Sequence, residues 1–273
     1  MISEDRRDIA RNVCTNEKKM VIFRYDKSFE GLLCCVFEAY NEKKCPDMLL
    51  DKEETTPLFY DEICTIETDS EKSDRVWTGL KKRISASALH CVTCCWLADS
   101  YPKADEVIFR YIYKCFKSKE SIETNFADAD VLELSKIYHQ ISYENLRVKQ
   151  FVRFQKTKDD IYFAAIEPLH NVLSMSIEHF RDRFATQKWI VYDTKRDYGY
   201  YYDLNEVQQI SFSSDNMITS NGISKSIMAE DEKLFQDLWK TYFKAIAIKE
   251  RKNPRKQVQD MPRRFWKYLT EKN

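Results

Sequence analysis

KWIVYDTKRDYGYYYD, residues 188–203, decides how the second half of the chain folds. Trp189 to Tyr192 and Tyr198 to Tyr202 are almost all β-branched or aromatic, and the polar run Lys195–Asp197 between them supplies a turn. Two such runs facing each other across a short polar turn read as a β-hairpin. Side chains alternate along an extended strand, so Tyr198, Tyr200 and Tyr202 share one face, while Tyr201 points the other way with Gly199. On the partner strand Trp189, Val191 and Asp193 share a face, and Ile190 and Tyr192 share the opposite one. One face of the hairpin is expected to pack and the other to show phenol rings close to Lys195 and Arg196. Rings beside cations hold single-stranded nucleic acids, by base stacking and phosphate pairing. Tyrosine is also a strong strand former whose hydroxyl tolerates a half-buried sheet, so spacing alone leaves a packed hairpin and a contact face both open.

Upstream, QFVRFQKTKDDIYFAAIEP (150–168) reads as a second pair of strands, turning around Lys158-Asp159-Asp160 and ended by Pro168. A helix follows over about 171–185. Downstream, 204–229 is polar and irregular. A helix over about 230–249 carries Leu234, Leu238, Trp239, Tyr242, Phe243 and Ile246 as an apolar stripe. The order strand–strand–helix–strand–strand–helix predicts an α+β fold: an antiparallel sheet built from hairpins, with helices covering one face.

In the first half VIFRYD (21–26) alternates as a strand, and Ser28 is placed to cap a helix running through Tyr40. Residues 42–61 read as an acidic loop broken by Pro46 and Pro57, and EICTIET (62–68) as a short strand. Helices follow at about 70–83, 85–99, 103–116 and 128–147, a helical insertion at about 70–147. The second of these is apolar nearly all round and is expected to be buried. The layout is an N-terminal extension, 1–19, and one unit over 20–273. That unit divides into 20–149, 150–249 and a basic tail, 250–273.

Composition excludes several function classes. The 273 residues are 43% hydrophobic, enough for a real core. Their apolar runs fall far short of the roughly 20 residues that cross a bilayer. The N-terminus has mixed charge and no apolar segment, which predicts a cytoplasmic protein. Of nine cysteines, HCVTCC (90–95) contains the one tempting C-x-x-C, but no second ligand pair accompanies it, so no metal is expected. Four isolated glycines exclude a P-loop and a dinucleotide fingerprint, and no cofactor is expected. No G-x-S-x-G or H-E-x-x-H occurs. The zero net charge hides a dipole: residues 42–74 hold eleven acidic side chains against four basic, and residues 244–273 hold ten basic against three acidic. A polyanionic partner responds to the local field, so neutrality overall does not exclude one.

Two constellations could carry function. Glu167, His170, His179 and Asp193 are candidates for acid–base catalysis if they converge; alternatively His170 helps cap the following helix and His179 pairs with Arg183 on its surface. The tail supplies Lys249, Arg251, Lys252, Arg255, Lys256, Arg263, Arg264 and Lys267 with Trp266, and together with Lys195, Arg196, Tyr198, Tyr200 and Tyr202 these are the candidate nucleic-acid contacts. The competing expectation is a tail docked on the acidic stretch 42–74.

The segments VIFRYDKSFEGLLCCVFEAY (21–40), RVWTGLKKRIS (75–85), IYFAAIEPLHNVL (161–173), HFRDRFATQKWIVYDTKRDYGYYYD (179–203), LWKTYFKAIAIKERKNPRKQ (238–257) and MPRRFWKYLTE (261–271) resemble the DUF4130 family, described as probable DNA metabolism proteins. The resemblance runs from about residue 20 to the end. It falls on Arg153, Glu167, His170, His179, Asp193, Arg196, Tyr198, Gly199, Tyr201 and Trp266, among others. It implies an accessory DNA-binding protein that acts with a radical-SAM partner in DNA repair or modification. The glycosylase motifs of some fused relatives are absent from this chain, as is any iron–sulfur motif. Two alternatives stand beside it: an enzyme acting on a nucleic acid or nucleotide through Glu167, His170 and His179, and a scaffold that binds only its partner protein.

Overall fold

Strand β1 (Val21–Tyr25) leads into helix α1 (Phe29–Asn41), whose first turn is closed by Ser28 Oγ accepting the Gly31 N–H at 2.9 Å. This is a computed structural model, and it describes residues 20–212, 218–219, 222–223 and 227–272. The expected extension 1–19 lies outside the described residues. The chain divides into two compact units, one holding residues up to 89 with 105–125, the other holding 90–104 with the residues from 126 onward.

In the first unit β1 is the centre of a three-stranded parallel sheet, with β2 (Met48–Asp51) on one side and β3 (Glu62–Thr65) on the other. The expected loop over 42–61 therefore contains a strand. MLLD is only four residues long and pairs with a strand more than twenty residues away, so local pattern carries little trace of it. Helix α2 (Ser70–Lys81) packs on α1. The buried helices are α1 and α4 (Ala104–Lys117), each sinking a continuous apolar face. Helix α3 (Ala86–Trp96), expected to be buried, sinks only Val92, Cys94 and Cys95, and His90 is exposed.

The second unit is built on a five-stranded mixed sheet, ordered β4-β5-β6-β7-β8: β4 (Gln155–Lys156), β5 (Tyr162–Ile166), β6 (Trp189–Asp193), β7 (Tyr198–Tyr202) and β8 (Val207–Ile210). Both expected hairpins form, β4/β5 and β6/β7. The sheet is nevertheless not antiparallel throughout, because β5 and β6 join them in parallel, Tyr162 beside Trp189 and Ile166 beside Asp193. Helix α6 (Leu173–Arg183) makes that crossover, and it could do so only between parallel strands. Parallel strands are covered on both faces, which explains why YFAAI and WIVYD are apolar almost without alternation.

One face carries Tyr162, Ala164, Ile166, Trp189, Val191, Asp193, Tyr198, Tyr200 and Tyr202. Phe180 of α6 lies edge-on to Trp189 at 6.1 Å, and α5 (Ala129–Phe151) packs behind α6. On the other face Phe163, Ala165 and Tyr192 cluster with Tyr268 from the end of the chain. Burying a large apolar side chain of this kind contributes about 1.5–3 kcal/mol. Gly199 sits opposite Tyr192, where a Cβ would meet the ring and the Val191 carbonyl at 2.6 Å, so no larger residue fits. The outer edge of β4 is covered: Lys158 N–H donates to the Ile227 carbonyl and Ala229 N–H to that of Lys156, both at 2.9 Å. Two-residue strands β9 (Ile218–Thr219) and β10 (Gly222–Ile223) pair with each other.

Helix α7 (Glu232–Ile246) forms where its apolar periodicity predicts. That stripe is exposed, with Phe235 58%, Trp239 40% and Tyr242 54% accessible, beside Leu234, Leu238 and Ile246. The tail is not extended. Asn253 Oδ1 accepts the Lys256 N–H and Pro254 opens helix α8 (Pro254–Asp260), after which short 3-10 turns at Arg263–Tyr268 and Thr270–Lys272 bury Phe265, Tyr268 and Leu269.

Candidate functional site

The loops that leave the C-terminal ends of β5 and β6 bring the sequence signature together. Asp193, fully buried at the end of β6, accepts the backbone N–H groups of Lys195 (2.9 Å) and Arg196 (3.3 Å) and so folds its own turn. The Arg196 guanidinium spends five N–H contacts here: two on Asp99 (2.7 and 2.9 Å), one on Asp193 (2.7 Å), and one each on the carbonyls of Pro168 (3.2 Å) and Leu169 (2.9 Å). Lys195 Nζ donates to Ser100 Oγ and to the Leu169 carbonyl. Tyr198 donates to Asn171 Oδ1, and Tyr202 donates to the Leu204 carbonyl. Tyr202 is buried and Tyr198 and Tyr200 are half-buried, on the face that packs with Trp189. The bonds from Lys195 and Arg196 to the Pro168 and Leu169 carbonyls and from Tyr198 to Asn171 tie the 168–171 and 193–198 loops together.

The four acid–base candidates do not meet as one group. Glu167 pairs with Lys267 and lies 3.4 Å from the Tyr268 hydroxyl. His179 is exposed on the second turn of α6, its ring against Phe180. His170 is 2% exposed, and neither ring nitrogen finds a hydrogen-bond partner among the described residues; Asp99 lies 4.0 Å from Nδ1. Burial pushes the His170 pKa down, against the pull of Glu144 and Asp99 and with the help of Arg196 and Lys195. The imidazole is thus held neutral, while the unfolded chain takes up a proton near pH 6.5. Stability should fall as pH drops below that value, and His170→Asn should flatten the fall between pH 7.5 and 5.5, read from urea midpoints. An identical fall in both proteins would show that His170 is not its source.

The tail's cations are divided. Arg264 pairs with Glu144, itself 2% exposed, and Lys267 with Glu167; both partners lie in the same unit as the tail. Trp266 is half-buried, its Nε1 donating to the Met261 carbonyl. Arg251, Lys252, Arg255, Lys256 and Arg263 are exposed, Lys256 with Asp260 at 2.8 Å. The side chain of Lys249 lies outside the described residues.

The sequence reading missed a pocket of about 610 Å³, walled by the rings of Phe154, Tyr162, Phe235 and Trp239. Arg153 and Lys156 supply cations at its rim, and Glu232 is its buried carboxylate. Glu232 accepts the Lys156 backbone N–H at 2.9 Å and the Gln236 amide at 3.0 Å. Trp239 is held from behind: its Nε1 donates to Glu271 at 2.9 Å, and the Arg153 guanidinium, paired with that same carboxylate at 2.7 Å, lies 5.8 Å from its ring centre. Arg153 and these tethers draw the Glu271 carboxyl below its usual range despite its burial. Trp239 is visible in the sequence as part of a helical stripe. Its partners come from Arg153, Phe154 and Tyr162, far earlier in the chain, and from Glu271, 32 residues later, which local pattern does not connect.

These features define an α+β protein whose mixed sheet carries a bonded loop cluster at one end, an aromatic pocket beside α7 and a basic C-terminal segment. A family model described as a domain of unknown function, DUF4130, matches residues 102–271, more than half of the chain, and the chain belongs to that family. The matched span leaves the β1–β3 sheet outside it. No curated protein matches the chain, and no solved structure does. Among the described residues, no helix is long and apolar enough to cross a membrane.

Proposed function

We propose that the chain is an accessory DNA-binding protein in DNA repair or modification, acting with the radical-SAM partner that the family resemblance implies. The observation that carries the reading is one helix face. Phe235, Trp239 and Tyr242, spaced to share a side of α7, are exposed, and the exposed cations Lys244, Arg251, Lys252 and Arg255 follow. Rings for bases beside charges for phosphates suit a single strand. The hairpin tyrosines, packed with Trp189, contribute less to such a surface than the sequence led one to expect. The geometry also favours binding over catalysis by Glu167, His170 and His179, because the first is paired, the second buried and the third on an exposed helix face.

Labelled single- and double-stranded DNA, titrated at low and moderate salt, tests this. With about four phosphate contacts, single-strand affinity should drop on the order of tens of fold between roughly 50 and 200 mM salt. Arg251→Glu with Lys252→Glu and Arg255→Glu should abolish binding without unfolding the chain, since all three side chains are exposed. Absence of binding at low salt would sink the reading.

A scaffold without DNA affinity is the second reading, and the exposed aliphatics favour it: Leu234, Leu238 and Ile246 on α7, and Leu58 and Phe59, 93% and 85% exposed in the acidic loop between β2 and β3. Exposed apolar groups of this size mark protein contacts. Recovery of the partner by Leu58→Ser, Phe59→Ser protein, compared with wild type, separates the two.

A further inference from the structure

We propose that the pocket between α7 and the β4–β5 hairpin takes a single nucleobase, with the phosphate attached to it facing Lys156. The proposal rests on the nucleic-acid reading above and names what that surface holds. The four ring walls provide flat apolar contact, and the volume falls within the range of small-molecule sites. Each Glu232 oxygen accepts one hydrogen bond and keeps a further lone pair, which a purely apolar ligand would cover without a donor. A base avoids this, because exocyclic and ring N–H groups donate to a carboxylate while both ring faces stack. Glu232 is already fixed by the Lys156 N–H and Gln236, so it is presented to a ligand at little conformational cost. The rim has the opposite sign at Lys156, whose Nζ pairs with the exposed Asp160 at 2.8 Å, an ion pair that a phosphate can displace. The Trp239 indole N–H is tethered to Glu271 and the Arg153 guanidinium lies over the ring, which fixes the plane of the indole in the pocket wall.

The same chemistry could come from a free nucleotide or from a base turned out of a strand. Tryptophan fluorescence of the full chain would be titrated with deoxyadenosine and deoxythymidine monophosphates, with a short single-stranded oligonucleotide, and with a duplex carrying one mismatched pair. Trp239→Phe should keep affinity within a few fold while losing the fluorescence change. Trp239→Ala and Phe235→Ala should weaken oligonucleotide binding roughly tenfold or more, the worth of one base stacked on a ring. Phe235 is 58% and Trp239 40% exposed, and equal thermal midpoints check that the variants fold. Binding of the monophosphates marks a free-nucleotide site, whereas binding of the single strand and mismatched duplex alone marks an extruded base; either supports the pocket. Oligonucleotide binding that depends on Arg251, Lys252 and Arg255 but is unchanged in Trp239→Ala overturns the pocket and leaves the DNA reading standing. Monophosphate binding lost in Trp239→Ala, with no oligonucleotide binding, keeps the pocket and removes the DNA reading. Failure of every probe removes both.

Discussion

A chain ending at Glu250 should lose the cooperative fold of its second unit, although the deleted segment reads as a solvated basic tail. The deletion removes Phe265, Tyr268 and Leu269 from the core. At about 1.5–3 kcal/mol for each large apolar side chain buried, that alone approaches the stability of a typical domain. It also strips Arg264 from Glu144, which is 2% exposed in the full chain and, among the described residues, keeps Arg147, 3.5 Å away, as a cationic neighbour. Breaking a buried pair by removing one partner costs about 3–5 kcal/mol. The expected result is insoluble protein, or soluble protein without near-ultraviolet ellipticity. A truncated chain with an unchanged urea midpoint would show that the 3-10 turns at 263–272 contribute nothing to the core. Charge reversal at exposed positions, and not deletion, is therefore the way to test the basic segment for binding.

What the sequence made legible follows from how local each signal is. Ser28 three residues before Gly31 caps α1, and the turn at Lys195–Asp197 between two apolar runs gives the β6/β7 hairpin in register. The stripe of α7 was readable from spacing, but its exposure was not, because periodicity tells which residues share a face and not whether anything covers it. The parallel join of β5 and β6 was hidden because an apolar strand reads the same in either direction. The tail misled for a different reason. Arg264 and Lys267 look like solvated cations until Glu144 and Glu167, more than ninety residues earlier in the chain, are placed beside them. Arg196 and Asp193 suggest a contact and a catalytic group by residue type, and only geometry shows them bonded to each other.

Arg196→Ala should destabilise the second unit by about 3–5 kcal/mol, the usual cost of leaving a buried charge without its partner. The guanidinium closes five hydrogen bonds on three segments, and the carboxylate it neutralises, Asp193, has no solvent exposure. Lysine in its place cannot span Asp99, Asp193 and two carbonyls at once, so Arg196→Lys should recover little. Burial already lifts the Asp193 pKa, with Arg196 pulling it back down, and without Arg196 it rises further. A carboxyl raised above its unfolded value favours the fold at low pH and loses that contribution as pH rises through the folded pKa. The deficit of Arg196→Ala relative to wild type should therefore shrink between pH 7 and pH 5. Asp193→Asn placed on the Arg196→Ala background removes the charge, so it should restore part of the stability at pH 7 and make the deficit insensitive to pH. Urea unfolding of the three proteins at both pH values decides the matter. A deficit that stays constant with pH in the single variant would mean that Arg196 acts through its carbonyl contacts and Asp99, and that Asp193 holds its charge unaided.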